Sequence, residues 1–501
     1  MRIVMKGATL TALLGILLLG TAPQPSPSPT PTPPHAAGDA WSAREIRALH
    51  GAIARALDDP TLRGARVGLV ARDAERGTLL FARDADAEFT PASNFKLLVG
   101  TVALARLGPT FAYATYIIAD APLADGTIAG NLYLRGGGDA LLSEDDLRAA
   151  ASALAANGLR HVAGDVVTDA SHFDAVRYGA GWSWDDLPFS YAPVVSALEL
   201  DDGTAHVFLE PGARQGEPAV VIEAPASTAF ELRSEVRTGA RGSDDTSTIE
   251  RPWDEPRAIV LAGSYPLDAG RSDDLAPSVP DPPSFAGDVF ARALAAAGVR
   301  VDGAVRAGAT PAGTTVLWTH ASEPMPRLLA DFWYPSDNLM GELLLKELGV
   351  AQSGEPGTTE HGRALELGFL RSIGVDPATV DIADGSGLSI YDRITPNDLI
   401  ALLQYDWASS DRAIVLDALP VAGVRGTLAQ TFLDAPLRGN VFAKTGSLTH
   451  VRTISGFVQN ERHGAVSFSL LVNDWMGDRD PTGAAALDRV RAAILTALAT
   501  L

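Results

Sequence analysis

The chain has 501 residues, more than one hydrophobic core accommodates and enough for two to four domains, with 46% apolar residues to fill them. A net charge of -21 excludes a broad nucleic-acid or anionic-membrane surface, because such partners are held by basic patches. The absence of cysteine excludes disulfides, thiolate zinc sites and cysteine nucleophiles.

Arg2 and Lys6 precede an apolar stretch from Gly7 to Ala22, which has the charge order and length of a secretory signal and is short for a bilayer span. Export to the periplasm or cell-wall space is the expectation. Pro23 disfavours cleavage after Gly20-Thr21-Ala22, so cleavage after Ala37 or Ala40, and retention as an anchor, both stay open. Residues 23–34 read PQPSPSPTPTPP, a stiff polyproline II spacer. Residues 1–40 are therefore assigned to a signal segment and linker.

Residues 43–58 have helical periodicity, and Val67–Ala71 with Thr78–Phe81 read as a hairpin. A helix follows from Pro91-Ala92-Ser93 into KLLVGTVALARLG, placing Ser93 and Lys96 on one face near its start. From 116 to 311 the texture changes to short β-rich runs at 204–210, 219–224, 230–236 and 257–263, with helical pieces at 144–157 and 284–298. This segment reads as an insertion of one or two subdomains, and the catalytic domain as 41–115 joined to 312–501. Helices return around Ser336-Asp337-Asn338, Val441–Thr445 and Arg452–Gln459 read as adjacent strands, and a last helix covers 482–500. The fold class expected is α/β (α+β), an antiparallel sheet flanked by helices with β-rich inserted modules.

Lysine is scarce. Against 36 arginines there are four lysines, Lys6, Lys96, Lys346 and Lys444. Arginine cannot surrender its proton, so a lysine kept in such a chain points to chemistry that guanidinium cannot perform. Lys6 lies in the leader, and Lys346 follows Glu342 by four residues on a helix, where an ion pair accounts for it. Lys96 and Lys444 remain, one in Ser93-Asn94-Phe95-Lys96 and the other in Lys444-Thr445-Gly446-Ser447, with Ser336-Asp337-Asn338 between them in sequence.

S-x-x-K, S-D-N and K-T-G in this order resemble the penicillin-recognising serine enzymes, in which the three motifs line one active site. LRGGGDALLS at 134–143, YAPVVSALEL at 191–200, SDNLMGELLLKELG at 336–349, DGSGLS at 384–389 and KTGSLTHVRTISGF at 444–457 are similar to the penicillin-binding protein 4 type of D-alanyl-D-alanine carboxypeptidase and endopeptidase, peptidase family S13. The resemblance covers about residues 43–500 and includes the long insert. It implies a transpeptidase-type fold and a serine DD-peptidase that cleaves peptidoglycan stem peptides, forms an acyl-enzyme at Ser93, needs no metal or other cofactor, and is acylated by β-lactam antibiotics.

The implied roles agree with elementary chemistry. A neutral Lys96 takes the proton of Ser93, and burial together with the nearby cation Lys444 should lower its pKa. Ser336 relays a proton to the leaving amine, and Asn338 binds substrate amide and holds Lys96. Lys444 and Thr445 receive the terminal carboxylate, Gly446 belongs to the same motif, and the backbone N–H groups of Ser93 and Ser447 form the oxyanion hole. Asp139, in a Gly-Gly-Gly-Asp loop, is placed near the substrate side chain, with an ordinary turn as the alternative. Asp384-Gly385-Ser386-Gly387 reads as a structural turn beside the site. Ile390 stands where the family often carries arginine, so the grip on a substrate side-chain carboxylate is expected to differ. A serine β-lactamase is the rival enzyme, although no E-x-x-L-N stretch precedes K-T-G; a non-catalytic peptidoglycan-binding protein is the rival from another class. No G-x-S-x-G elbow and no zinc-ligand spacing of histidines occur.

Overall fold

Gly464–Asn473 is buried at every position. An alternating strand has one wet face; a strand without exposed positions must be covered on both. In the computed structural model, which describes residues 33–35, 38–477, 480 and 482–501, this strand lies at the centre of a five-stranded antiparallel sheet. The expected signal segment and nearly all of the proline-rich linker lie outside the described residues.

We label the sheet strands β1 (Arg66–Asp73), β2 (Leu79–Arg83), β3 (Val441–Leu448), β4 (Val451–Asn460) and β5 (Gly464–Asn473). Their order is β3-β4-β5-β1-β2, so β3, which carries Lys444, is an edge strand. Helices α1 (Ala43–Leu57) and α5 (Gly483–Thr500) cover one face, with Leu49, Ile53, Val490 and Ile494 packed on Leu69, Ile454 and Phe468. Helices α2 (Lys96–Leu107), α3 (Asn338–Ser353) and α4 (Pro396–Ala408) belong to the core on the other face, with Leu98, Leu343 and Leu403 in one cluster with Val70, Phe457 and Leu471. The alternation along β1 assigns Leu69 to one core and Val70 to the other, as a two-residue period demands. This is the expected fold class, an antiparallel sheet between helical layers.

The chain leaves this body through the strand Ala114–Ala119 and returns through Thr315–Ala321, and the two pair antiparallel. They are joined in a second five-stranded sheet by Leu132–Arg135, Val166–Asp169 and Val305–Ala307. Helices Glu144–Ala156 and Pro282–Ala296 contribute to its separate core, around Leu147, Phe285 and Leu294. Smaller β ladders, including His206–Glu210 with Val220–Ala224, make up the rest of the intervening segment. Among the described residues no helix is long and apolar enough to cross a membrane.

Candidate active site

Ser93 sits in a turn that is fastened to the sheet before any catalytic contact is considered. Ala92–Phe95 form a single 3-10 turn that runs into α2 at Lys96, and Ala92 holds φ at 49°, an uncommon left-handed value for a residue with a Cβ. Thr453 donates its hydroxyl to the Pro91 carbonyl at 2.7 Å. The Asn94 amide donates to the Lys444 carbonyl at 2.6 Å and accepts from the Ile454 N–H at 3.0 Å. Gly446 completes the fit: a Cβ there would stand 2.9 Å from both the Pro91 oxygen and the Ser93 nitrogen, and 2.3 Å from the Thr453 hydroxyl. The glycine of K-T-G is thus required because the Ser93 turn presses directly on β3.

Lys96 is completely buried. Its ammonium nitrogen is 3.0 Å from Ser93 Oγ, 2.5 Å from Asn338 Oδ1 and 2.5 Å from the Ser386 carbonyl. Burial lowers its pKa to about 8, against the opposing pull of Asp384, Asp337, Glu342 and Asp392. The expected contribution of Lys444 falls on the other partner. Burial, and then the charge of Lys96, hold Lys444 well below the usual lysine range.

The Ser386 carbonyl is aimed by a turn whose acceptor is Asp384, with one carboxylate taking the N–H groups of Ser386, Gly387 and Ser389 at 3.1, 2.7 and 2.7 Å. Glu342 on α3 accepts from the Gly385 and Ser386 N–H groups at 2.9 and 3.0 Å, and burial raises its pKa to about 8. Glu342 therefore does not pair with Lys346, contrary to the helical spacing. Lys346 instead bonds Asp174 and the Val176 carbonyl, because Glu342 is committed to the turn on the other side.

The second motif enters from the start of α3. Asp337 caps that helix by accepting from the Met340 N–H at 2.8 Å, and the residues on either side, Ser336 and Asn338, bond the two buried lysines. Ser336 adopts φ of 68°, and its hydroxyl accepts from Lys444 Nζ at 2.7 Å. Asn338 bonds Lys96 through its oxygen and donates through its nitrogen to the Tyr191 carbonyl at 2.6 Å. Lys444 is also completely buried and donates to the Thr445 carbonyl at 2.8 Å. Thr445 shares a 2.7 Å contact with the Thr427 hydroxyl, and Ser447 is exposed farther along the same strand. Direct hydrogen bonds thus link Ser93 and Lys96 to Asn338 from a distant part of the sequence, and Ser336 to Lys444 likewise.

Asp139 lies in a different setting. It is buried, accepts from the Leu141 N–H at 3.0 Å, and faces His320 at 3.5 Å, which raises the histidine pKa. Sequence reasoning missed Trp182, whose indole N–H donates to Asp384 at 2.8 Å, and the Tyr191 carbonyl on Asn338. Both come from the inserted segment. A backbone carbonyl carries no sequence signature, whereas Tyr191 at the head of YAPVVSALEL was within a stretch already singled out. Among the described residues no cluster of histidine and carboxylate side chains could hold a metal ion.

The helix-flanked antiparallel sheet makes this a mixed α/β protein, and two buried amines, each hydrogen-bonded to a serine, mark its candidate site. The model of the D-Ala-D-Ala carboxypeptidase 3 (S13) family matches residues 49–494, and the chain belongs to that family. It is 36% identical over 484 residues to a D-alanyl-D-alanine carboxypeptidase of Actinomadura sp. strain R39, covering 93% of this chain and 86% of that protein. It is 26% identical to the D-alanyl-D-alanine carboxypeptidase DacB of Haemophilus influenzae, over 82% of this chain and 86% of the relative. The fold is similar to the crystal structure of penicillin binding protein 4 from Haemophilus influenzae, with a TM-score of 0.81 at 24% identity over 90% of this chain and 99% of that one. The chain is accordingly a peptidase of the D-Ala-D-Ala carboxypeptidase kind.

Proposed function

We propose that the protein is a serine DD-peptidase that cleaves the terminal D-Ala-D-Ala bond of peptidoglycan stem peptides through an acyl-enzyme at Ser93, outside the cytoplasmic membrane. The observation that carries this reading is the 3.0 Å contact between Lys96 Nζ and Ser93 Oγ, made by a lysine whose pKa burial brings to about 8. At pH 7 roughly a tenth of such groups are neutral, against fewer than one in a thousand for an ordinary lysine. In the neutral form Lys96 accepts the Ser93 proton as Oγ attacks the penultimate D-alanine carbonyl. The C–N bond then breaks, and the Ser336 hydroxyl, resupplied from Lys444, passes a proton to the departing amine. Water completes the cycle by hydrolysing the ester.

Edge geometry supports the docking of an extended peptide. The Ala443 N–H donates to the Pro420 carbonyl, and the Val441 carbonyl accepts from Ala422 N–H, so the odd-numbered residues of β3 turn their backbone groups away from β4. By the two-residue period Thr445 and Ser447 do the same at the outer edge, where a substrate strand can pair and where the Ser447 N–H can join that of Ser93 at the oxyanion. Lys444, with Thr445 and Thr427 beside it, provides the cation and hydroxyls for a terminal carboxylate, and that negative charge would restore the lysine proton which burial disfavours. The Asp139 turn is proposed to contribute on the substrate side-chain flank. The likeness to a Haemophilus protein whose structure has been solved in complex with a β-lactam supports acylation by β-lactams here.

Digestion of purified muropeptide monomers and cross-linked dimers, followed by mass, tests the reaction. Release of D-alanine from pentapeptide monomers is expected; conversion of dimers to monomers would add endopeptidase action. Turnover of penicillin with neither product would establish a β-lactamase instead. Labelling by a fluorescent penicillin should disappear in Ser93→Ala.

A further inference from the structure

Lys96 Nζ has three oxygen neighbours: Ser93 Oγ, Asn338 Oδ1 and the Ser386 carbonyl. A neutral amine brings two N–H groups and one lone pair to such a set. The Ser386 carbonyl can only accept, and so can Asn338 Oδ1, whose amide nitrogen is spent on the Tyr191 carbonyl. These two therefore take the N–H groups, and the lone pair is left for the one neighbour that owns a proton, the Ser93 hydroxyl. The direction of the base is thus set by two acceptors.

Both acceptors are held by one face of α3. Asn338 and Glu342 stand four residues apart on that helix, one turn above the other. Asn338 meets Lys96 directly. Glu342 Oε1 accepts from the Gly385 and Ser386 N–H groups at 2.9 and 3.0 Å, which fastens to the helix the two peptide units that precede the Ser386 carbonyl. Asp384 shapes the turn from within, through the Gly387 N–H of the carbonyl's own peptide unit at 2.7 Å, and Glu342 anchors that shape to α3. Helix and turn meet at two glycines: a Cβ on Gly341 would stand 2.7 Å from the Gly385 oxygen, and one on Gly385 would collide with the Gly341 oxygen. The turn also rests on the Ser93 segment, where a Cβ on Gly387, at φ of 75°, would collide with the Ala92 oxygen. It is a wedge between the helix that carries Asn338 and the segment that carries Ser93.

We infer that Glu342 is a positioning residue of the reaction: by holding the 384–387 turn on α3 it aims the Ser386 carbonyl at Lys96, and so directs the lysine lone pair at Ser93 Oγ. The inference rests on the DD-peptidase reading. Burial, with the nearby charge of Asp384, raises the Glu342 pKa to about 8, so at pH 7 only roughly a tenth of it is ionised. Glutamine therefore reproduces both the charge and the acceptor oxygen. An apolar side chain reproduces neither acceptor nor anchor; the Gly385 and Ser386 N–H groups lose their partner, the wedge shifts, and the lone pair of Lys96 faces Ser93 for a smaller fraction of the time.

Full-length wild type, Glu342→Gln and Glu342→Leu are compared at pH 7. Four quantities are read: the rate of fluorescent-penicillin acylation, the affinity of the complex that precedes it, kcat and KM for D-alanine release from pentapeptide, and Tm. Glu342→Leu is expected to lower the acylation rate and kcat by about tenfold or more, the scale of a displaced reacting group, with penicillin affinity and KM within about twofold. Glu342→Gln is expected within about threefold of wild type throughout. A folded leucine variant with wild-type acylation overturns the inference, as does a glutamine variant as impaired as the leucine one. A role through charge alone predicts the opposite sign, because Glu342 favours the protonated form of Lys96, and faster acylation in both variants would likewise overturn positioning. If Glu342→Leu does not fold, Glu342→Met, unbranched and close to glutamate in length, is read in its place. If neither folds, the glutamine variant decides: retained acylation supports the inference and a tenfold loss is fatal to it. Wild type that neither releases D-alanine nor takes up penicillin would instead sink the DD-peptidase reading.

Discussion

Lys96→Arg separates a base from a mere cation. Guanidinium stays charged, so penicillin acylation should fall by about 10²–10⁴-fold, the usual contribution of a general base, and because the site is completely buried the larger group should also lower Tm, so acylation is compared on folded preparations. In wild type the neutral fraction of Lys96 grows with pH, and acylation should therefore climb about tenfold per unit below the pKa of about 8 and level off above it. Stopped-flow acylation between pH 5.5 and 9 reads this limb; a flat profile would remove Lys96 from the proton transfer. These residues were legible in the sequence because lysine is so rare in it. What the sequence left out is how each is held: the assignment of Lys346 to Glu342 followed helical spacing, but burial of Glu342 against the 384–387 turn redirected both partners. Spacing along one helix cannot register a turn arriving from elsewhere in the chain.

Elements position these residues through contacts that admit almost no change. Gly446→Ala would push a methyl into the Pro91 and Ser93 backbone at 2.9 Å, and backbone cannot swing aside as a side chain does. The expected result is a loss of at least tenfold in acylation and a lowered Tm, read by labelling and thermal melts on the same preparation. The helix that carries Lys96 is tied to α4 by the Thr101 hydroxyl donating to Asp406 at 2.9 Å, and burial raises the Asp406 pKa to about 8. The sign follows: the unfolded chain releases this proton near pH 4 while the folded protein retains it, so stability contributed by the neutral form declines as pH rises from about 4 to 8. Asp406→Asn removes the titration, and should gain on wild type by about 1–3 kcal/mol between pH 5 and pH 8 in denaturant melts. The strands and helices were predicted with small boundary errors because their periodicity is strong. The 3-10 turn at Ala92–Phe95 was read as the beginning of the helix itself, since the contacts that fasten it come from Lys444, Thr453 and Ile454 on the sheet, far away in sequence.

At the scale of the whole molecule, the segment between the paired strands Ala114–Ala119 and Thr315–Ala321 bonds residues of the candidate site. Its chain enters and leaves by adjacent antiparallel strands, which explains how some two hundred residues can be accommodated without disturbing the first sheet. The sequence indicated an insertion from its change of texture, yet contact with the active site could not be read from it. One contact depends on the Tyr191 backbone carbonyl, and the other on an indole N–H meeting Asp384 some 200 positions away. Trp182→Phe isolates this last contact. It leaves an aromatic ring in place but removes the N–H, so one oxygen of Asp384 loses a donor while its backbone donors persist. A hydrogen bond to a charged group contributes about 1.5–3 kcal/mol, and part of that loss should appear as a displaced Ser386 carbonyl and a less constrained Lys96. Acylation by penicillin is expected to slow by about three- to tenfold, with D-alanine release slowed in parallel and substrate KM nearly unchanged, because the β3 groups proposed to bind the substrate carboxylate are untouched. An effect on KM alone would mean that the inserted segment serves substrate capture and leaves the placement of the base to the catalytic body.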